Sequence, residues 1–94
     1  MANETSKKAQ IIWVVDAETL NGIDIAAHLK EIGHIPVHMY SAQETLGRLK
    51  QEIPDLILLN PEIGDMKGIE LLKKLYNILE PKGIPILVIS RINT

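Results

Sequence analysis

The chain has 94 residues, a formal charge of -2 and 46% apolar residues, enough for one small core, too apolar for a disordered chain, and without the positive field that draws nucleic acid. It has no Cys, which excludes a disulfide framework and thiolate metal sites, and no Phe, so Ile, Leu, Val, Ala and Met must fill the core. No apolar run is long enough to span a bilayer, and residues 1–10 lack the apolar centre of a signal peptide, so a cytoplasmic protein with no membrane contact is expected.

Residues 1–10 are polar and aperiodic and are expected to form a flexible tail ahead of one domain, 11–94. Ile11–Val15 reads Ile-Ile-Trp-Val-Val, a short β-branched run that suits a strand buried on both faces, with Trp13 in the core. A helix follows over 19–32, with Leu20, Ile23 and Ala27 on one stripe and Ile25, Leu29 and Ile32 on another. Gly33 is placed to end it. Asn21-Gly22 is a hairpin signal in isolation, but it lies inside this helical pattern and is read as helix.

Residues 36–40 form a short second strand. Ser41-Ala42-Gln43-Glu44 then matches a capping box, with Ser41 at the N-cap and Glu44 three residues on. The helix it opens is expected to reach Glu52, with Leu46, Leu49 and Ile53 facing inward, before Pro54 stops the pattern. Leu56–Leu59 is the third strand. A third helix runs over 67–79 and carries Ile69, Leu71, Leu72, Leu75 and Leu79. Pro81-Lys82-Gly83 makes a turn, and 84–89 is the fourth strand. Strands alternating with helices imply right-handed crossovers and a parallel sheet with helices on both faces.

Four positions at strand ends and in one loop carry a family resemblance. They are Asp16-Ala17-Glu18 after the first strand, Asn60 after the third, the loop Gly64-Asp65-Met66-Lys67-Gly68, and Ser90 after the fourth. In this order the chain resembles the receiver domain of two-component response regulators. The resemblance implies a three-layer flavodoxin-like α/β fold with strand order 2-1-3-4, truncated before the family's fifth strand and last helices. It implies that Asn60 stands where the family has the phospho-accepting aspartate. Asp16, Ala17 and Glu62 would make a degenerate acidic pocket, with Ala17 in place of the main magnesium ligand. Ser90 would be the family's switch Ser/Thr position, and the strand-five lysine would lie beyond Thr94.

An amide is a far poorer nucleophile than a carboxylate, and magnesium is held largely by carboxylates. The expectation is therefore a pseudo-receiver, with no enzymatic activity, no metal and no cofactor. It would act as a phosphorylation-independent protein-interaction module in signal transduction. Deamidation of Asn60 is not expected to restore an aspartate, because Pro61 has no N–H to attack it. Asp16 has two readings, a weak cation ligand with Glu62 nearby or a solvated acid beside a helix N-terminus, and the second is favoured because a lone carboxylate seldom fixes Mg²⁺. Ser90 is either a partner for the Asn60 amide or an ordinary strand-end serine. His28, His34 and His38 have no metal-binding spacing and are read as structural or solvated, and Lys67, Lys73 and Lys74 as a solvated helix face.

Truncation would leave the fourth strand as an apolar sheet edge with only Pro85 to discourage pairing, and would bare the sheet face beside the first helix. A protein partner is therefore expected, with self-association (a dimer) through that edge or those faces. The alternatives are a fragment of a longer signalling protein and a small-ligand or nucleotide-binding α/β domain. No Gly-rich phosphate loop follows the first strand to favour the latter, and no nucleophile–base pair favours a hydrolase.

Overall fold

A computed structural model describes residues 8–89. Four parallel strands, β1 (Ile11–Val15), β2 (Ile35–Met39), β3 (Leu56–Leu59) and β4 (Ile86–Val88), lie in the order β2-β1-β3-β4. Helices α1 (Thr19–Glu31), α2 (Ala42–Arg48) and α3 (Gly68–Leu79) connect them, and a single 3₁₀ turn at Glu80–Lys82 leads into β4. This is the expected flavodoxin-like architecture and strand order. Residues 1–7 of the expected tail and Ser90 lie outside the described residues.

The alternation of a strand sends Trp13, Val15, Met39, Ile57 and Leu59 to one face of the sheet. There they meet Ala42 of α2, Leu49, Ile63, and Leu71, Leu75 and Leu79 of α3 in one buried cluster. The three leucines recur at i, i+4 and i+8, so a single stripe of α3 is submerged. Each contributes about 1.5–3 kcal/mol by leaving water. Trp13 is fully buried as expected, and its indole N–H has no partner among the described residues.

The opposite face is less evenly covered. Ile12 and Val14 are buried, while α1 packs mainly over β2. A β-carbon at residue 22 would fall 2.1 Å from the His38 ring, so only glycine lets the helix approach the imidazole this closely. Asn21 and Gly22 are thus helical, as the periodicity required. One stripe of α1 lies open: Leu20 is 78% exposed and Ile23 is exposed beside it, while Ile32, just past the helix on its other side, is exposed too. Beside the stripe Leu56 and Leu58 are half-buried and Leu87 is 55% exposed.

Local signals account for most boundaries. Ser41 Oγ accepts the Glu44 N–H at 3.0 Å, and Glu44 Oε1 accepts the Tyr40 N–H at 2.9 Å, so the capping box closes one residue further back than its usual form. Gly33 takes φ 99°, and the Gly33 and His34 N–H groups bond back to Lys30 and Leu29. Two expectations are corrected. Helix α2 ends at Arg48 rather than Glu52, because the Lys50 and Gln51 N–H groups tighten onto the carbonyls three residues back. Ile53 is therefore turned outward, 39% exposed, and Pro54 takes the interior position. Strand β4 is also shorter than 84–89: the Ile84 N–H bonds to Leu79, and Pro85 has none to give.

Candidate functional site

The register places the site. Val15 lies between Met39 and Leu59, so β2, β1 and β3 end level. The ladder then runs one residue further: the Asp16 N–H bonds to Met39 and the Asn60 N–H to Val15, each at 2.9 Å. Asp16 and Asn60 are thereby fixed side by side at the C-terminal rim of the sheet, the end at which ligands bind in open α/β folds.

Asp16 is 2% exposed, which corrects the expectation of a solvated acid. Its burial is tolerated because its oxygens are met by N–H donors. Oδ1 accepts the Glu18 N–H at 2.9 Å and the Asn60 amide at 3.4 Å. Oδ2 accepts the Asn21 amide at 2.5 Å. The Asp16 carbonyl accepts His38 Nε2 at 2.9 Å. A carbonyl cannot donate, so Nε2 carries the hydrogen, and Nδ1 is buried without a partner among the described residues. Tyr40 stacks on this ring at 3.9 Å.

Asn60 has no freedom to turn over. Its Oδ1 accepts the Glu62 N–H at 2.9 Å, so Nδ2 faces Asp16. Of the other residues expected here, Ala17 is exposed and offers no ligand atom, and the Glu62 side chain is exposed while its backbone holds Asn60. Magnesium takes near-octahedral oxygen coordination, with carboxylates as its protein ligands. This pocket offers one carboxylate whose oxygens already accept three N–H groups, beside an amide that turns its nitrogen inward. The donor set does not fit the ion, and no cluster of three His, Asp or Glu suited to a metal occurs among the described residues.

The loop after β3 contributes what the sequence did not disclose. Asp65 Oδ1 and Oδ2 accept the Ala42 and Gln43 N–H groups, both at 2.9 Å, capping α2 from 22–23 residues away. These bonds, from Ala42 first and then Gln43, hold the Asp65 carboxyl below its ordinary pKa. At Gly68 a β-carbon would fall 2.2 Å from the Pro61 carbonyl, so glycine is required where α3 starts against the loop. Among the histidines, His28 is exposed and contacts the Asp24 carbonyl, and His34 Nδ1 accepts the Gln10 N–H. His38 lies within β2.

No family model and no curated protein matches the chain. Solved structures do. A chemotaxis response regulator of Vibrio cholerae, CheY4, superposes with a TM-score of 0.82 at 18% identity, over 93% of this chain and 72% of that one. The N-terminal domain of a response regulator receiver protein from Methanoculleus marisnigri gives 0.79 at 27% identity, over 93% and 72%. A fusion protein bearing a trimeric coiled-coil segment of yeast Spc42 gives 0.81 at 22%, and there the chain spans 57% of the longer molecule. With its sheet order, its three connecting helices and this coverage, the chain has the fold of the receiver domains of response regulators, through the fourth strand.

Proposed function

We propose that this chain is a pseudo-receiver: a cytoplasmic, non-enzymatic protein-interaction module in signal transduction whose output does not depend on phosphorylation. The observation that carries the reading is the Asn60 amide at the end of β3, its oxygen on the Glu62 N–H and its nitrogen on Asp16. Phosphoryl transfer needs a nucleophile and cations on the transferring oxygens. Asn60 is not such a nucleophile, and Ala17 offers no ligand. Among the described residues no helix is long and apolar enough to cross a membrane.

The interacting surfaces on this reading are the β4 edge and the open faces beside it. The Pro85 carbonyl and the Ile89 N–H both bond to β3. The alternation of a parallel ladder therefore turns the N–H and C=O of Ile86 and Val88 outward. Leu87, Val88 and Ile89 are exposed around them, and a groove of about 440 Å³ runs beside the edge, lined by Leu72, Tyr76, Ile84 and Ile86 among others. A second copy of the chain, pairing through this edge, is the partner we favour.

Two measurements test the reading. Incubation with acetyl phosphate or a cognate kinase should leave the intact mass unchanged. A stable adduct of one phosphoryl group would overturn phosphorylation independence. Light scattering over a dilution series should give a discrete dimer. A monomer at every concentration would remove self-association and leave a different protein as the partner.

A further inference from the structure

No motif at Asn21 suggested a part in the acidic pocket, yet it makes the shortest polar contact there. It sits in the first turn of α1, half-buried, and reaches back five residues to Asp16 Oδ2. Asn60 approaches Oδ1 from the other side, oriented by the Glu62 N–H, and the Glu18 N–H takes a further position on Oδ1. Three donors from three segments of the chain thus converge on one buried carboxylate. A metal ion binds a carboxylate through those same oxygen lone pairs, and ammonium-like or amide N–H donors compete with it directly.

We propose that Asn21 is a positioning residue that acts with Asn60 to close Asp16 against divalent cations, the two side-chain amides supplying the hydrogen bonds that stand in for a metal. The pocket is thereby satisfied by the chain itself and held in one arrangement, with α1 tied to the end of β3 through a common acceptor. This goes beyond the proposed function and stands apart from it. A phosphoryl adduct or a monomer would count against that reading alone, and the comparison below bears on Asn21 alone.

The test is Mn²⁺ titration of the full chain, followed by paramagnetic broadening of amide NMR signals, in the natural sequence, Asn21→Ala, Asn60→Asp and the double variant. The natural sequence should show no broadening centred on Asp16, Ala17 and Asn60. Asn60→Asp should show it weakly, and the double variant should bind about 10-fold more tightly than Asn60→Asp, the scale of effect seen when a neighbour of a metal ligand is changed. Equal affinity in Asn60→Asp and the double variant would overturn the role of Asn21. Broadening centred on Asp16 in the natural sequence would overturn the closure itself. Should the Asn60→Asp chains not fold, Asn21→Asp decides the matter without touching β3. It places a second carboxylate against Oδ2 and must gain Mn²⁺ broadening at Asp16, and its failure to do so would refute the assignment.

Discussion

Replacing Asn60 by aspartate should destabilise the fold, although it changes one atom of the side chain. The Asn60 nitrogen lies 3.4 Å from Asp16 Oδ1, and both residues are buried. The substitution turns an attractive N–H···O⁻ contact into two facing carboxylate oxygens. At that separation two unit charges repel by about 5 kcal/mol for an effective dielectric constant of 20. The lost hydrogen bond to a charged group adds about 1.5–3 kcal/mol. Rotation of the new carboxylate, which keeps the Glu62 N–H, relieves part of the repulsion, and a net loss of about 2–4 kcal/mol is expected at pH 7 in the absence of divalent cations. A domain of this size has a total stability of about 5–14 kcal/mol. Urea unfolding followed by circular dichroism, with EDTA present, measures the difference. Asn60→Ala is the control, since it removes the same donor without adding a charge and should cost about 1–3 kcal/mol. If Asn60→Asp proves as stable as the natural sequence, then the amide does not face Asp16 and the description of the pocket is wrong.

Gly22→Ala should cost about 2–3 kcal/mol, because its new methyl group meets the His38 ring and displaces it from the Asp16 carbonyl. In a His38→Ala background the same change should cost under about 1 kcal/mol, and an additive double-mutant cycle would refute the contact. Asp65→Ala should lower the urea midpoint at neutral pH. The Ala42 N–H first, and then the Gln43 N–H, hold the folded-state pKa of Asp65 below the ordinary carboxylate range. Its contribution is thus present above the unfolded pKa and is lost as pH falls through the folded one. The gap between variant and natural sequence should close on acidification from pH 6 toward pH 3, and a gap that widens in that range would contradict the capping role.

What could be read in the sequence was whatever neighbouring residues decide. Gly33, Ser41 with Glu44, and the i, i+4, i+8 leucines of α3 each act within a turn or two of themselves, and their elements stand where the pattern put them. Asn21-Gly22 shows periodicity overruling a local turn signal, with the packing of His38 on Gly22 supplying the reason after the fact. What escaped depends on distant segments. Asp16 looks like a surface acid because the sequence cannot show that Asn21 and Asn60 converge on it. Asp65 looks like a loop residue because α2, which it caps, starts 23 residues earlier. The stripe of Leu20 and Ile23 reads as a core face, and only the position of α1 over β2 reveals that nothing described covers it. Ile53 failed for a smaller reason: a helix pattern was carried one turn too far.

A ligand moves a protein between states only by as much as its affinity differs between them. Asp16, with its oxygens already taken by fixed donors, gives a small ion or phosphoryl group little to gain unless those bonds break first. The exposed apolar side chains are in the opposite position. Full burial of a Leu, Ile or Val side chain contributes about 1.5–3 kcal/mol. Scaled by their exposure, Leu20, Ile23, Leu87, Val88 and Ile89 together hold about 4–8 kcal/mol. Association itself costs about 4–15 kcal/mol. In a dimer both copies contribute, so the β4 edge alone brings about 4–8 kcal/mol, at the low end of that cost, and edge with stripe about 8–16 kcal/mol. A stable partner on the proposed reading must therefore cover both at once, lying across the sheet face from Leu20 to Leu87 as well as pairing with the backbone of Ile86 and Val88. A dimer joined by strand pairing alone, with the α1 stripe still in water, should be weak and should dissociate on dilution.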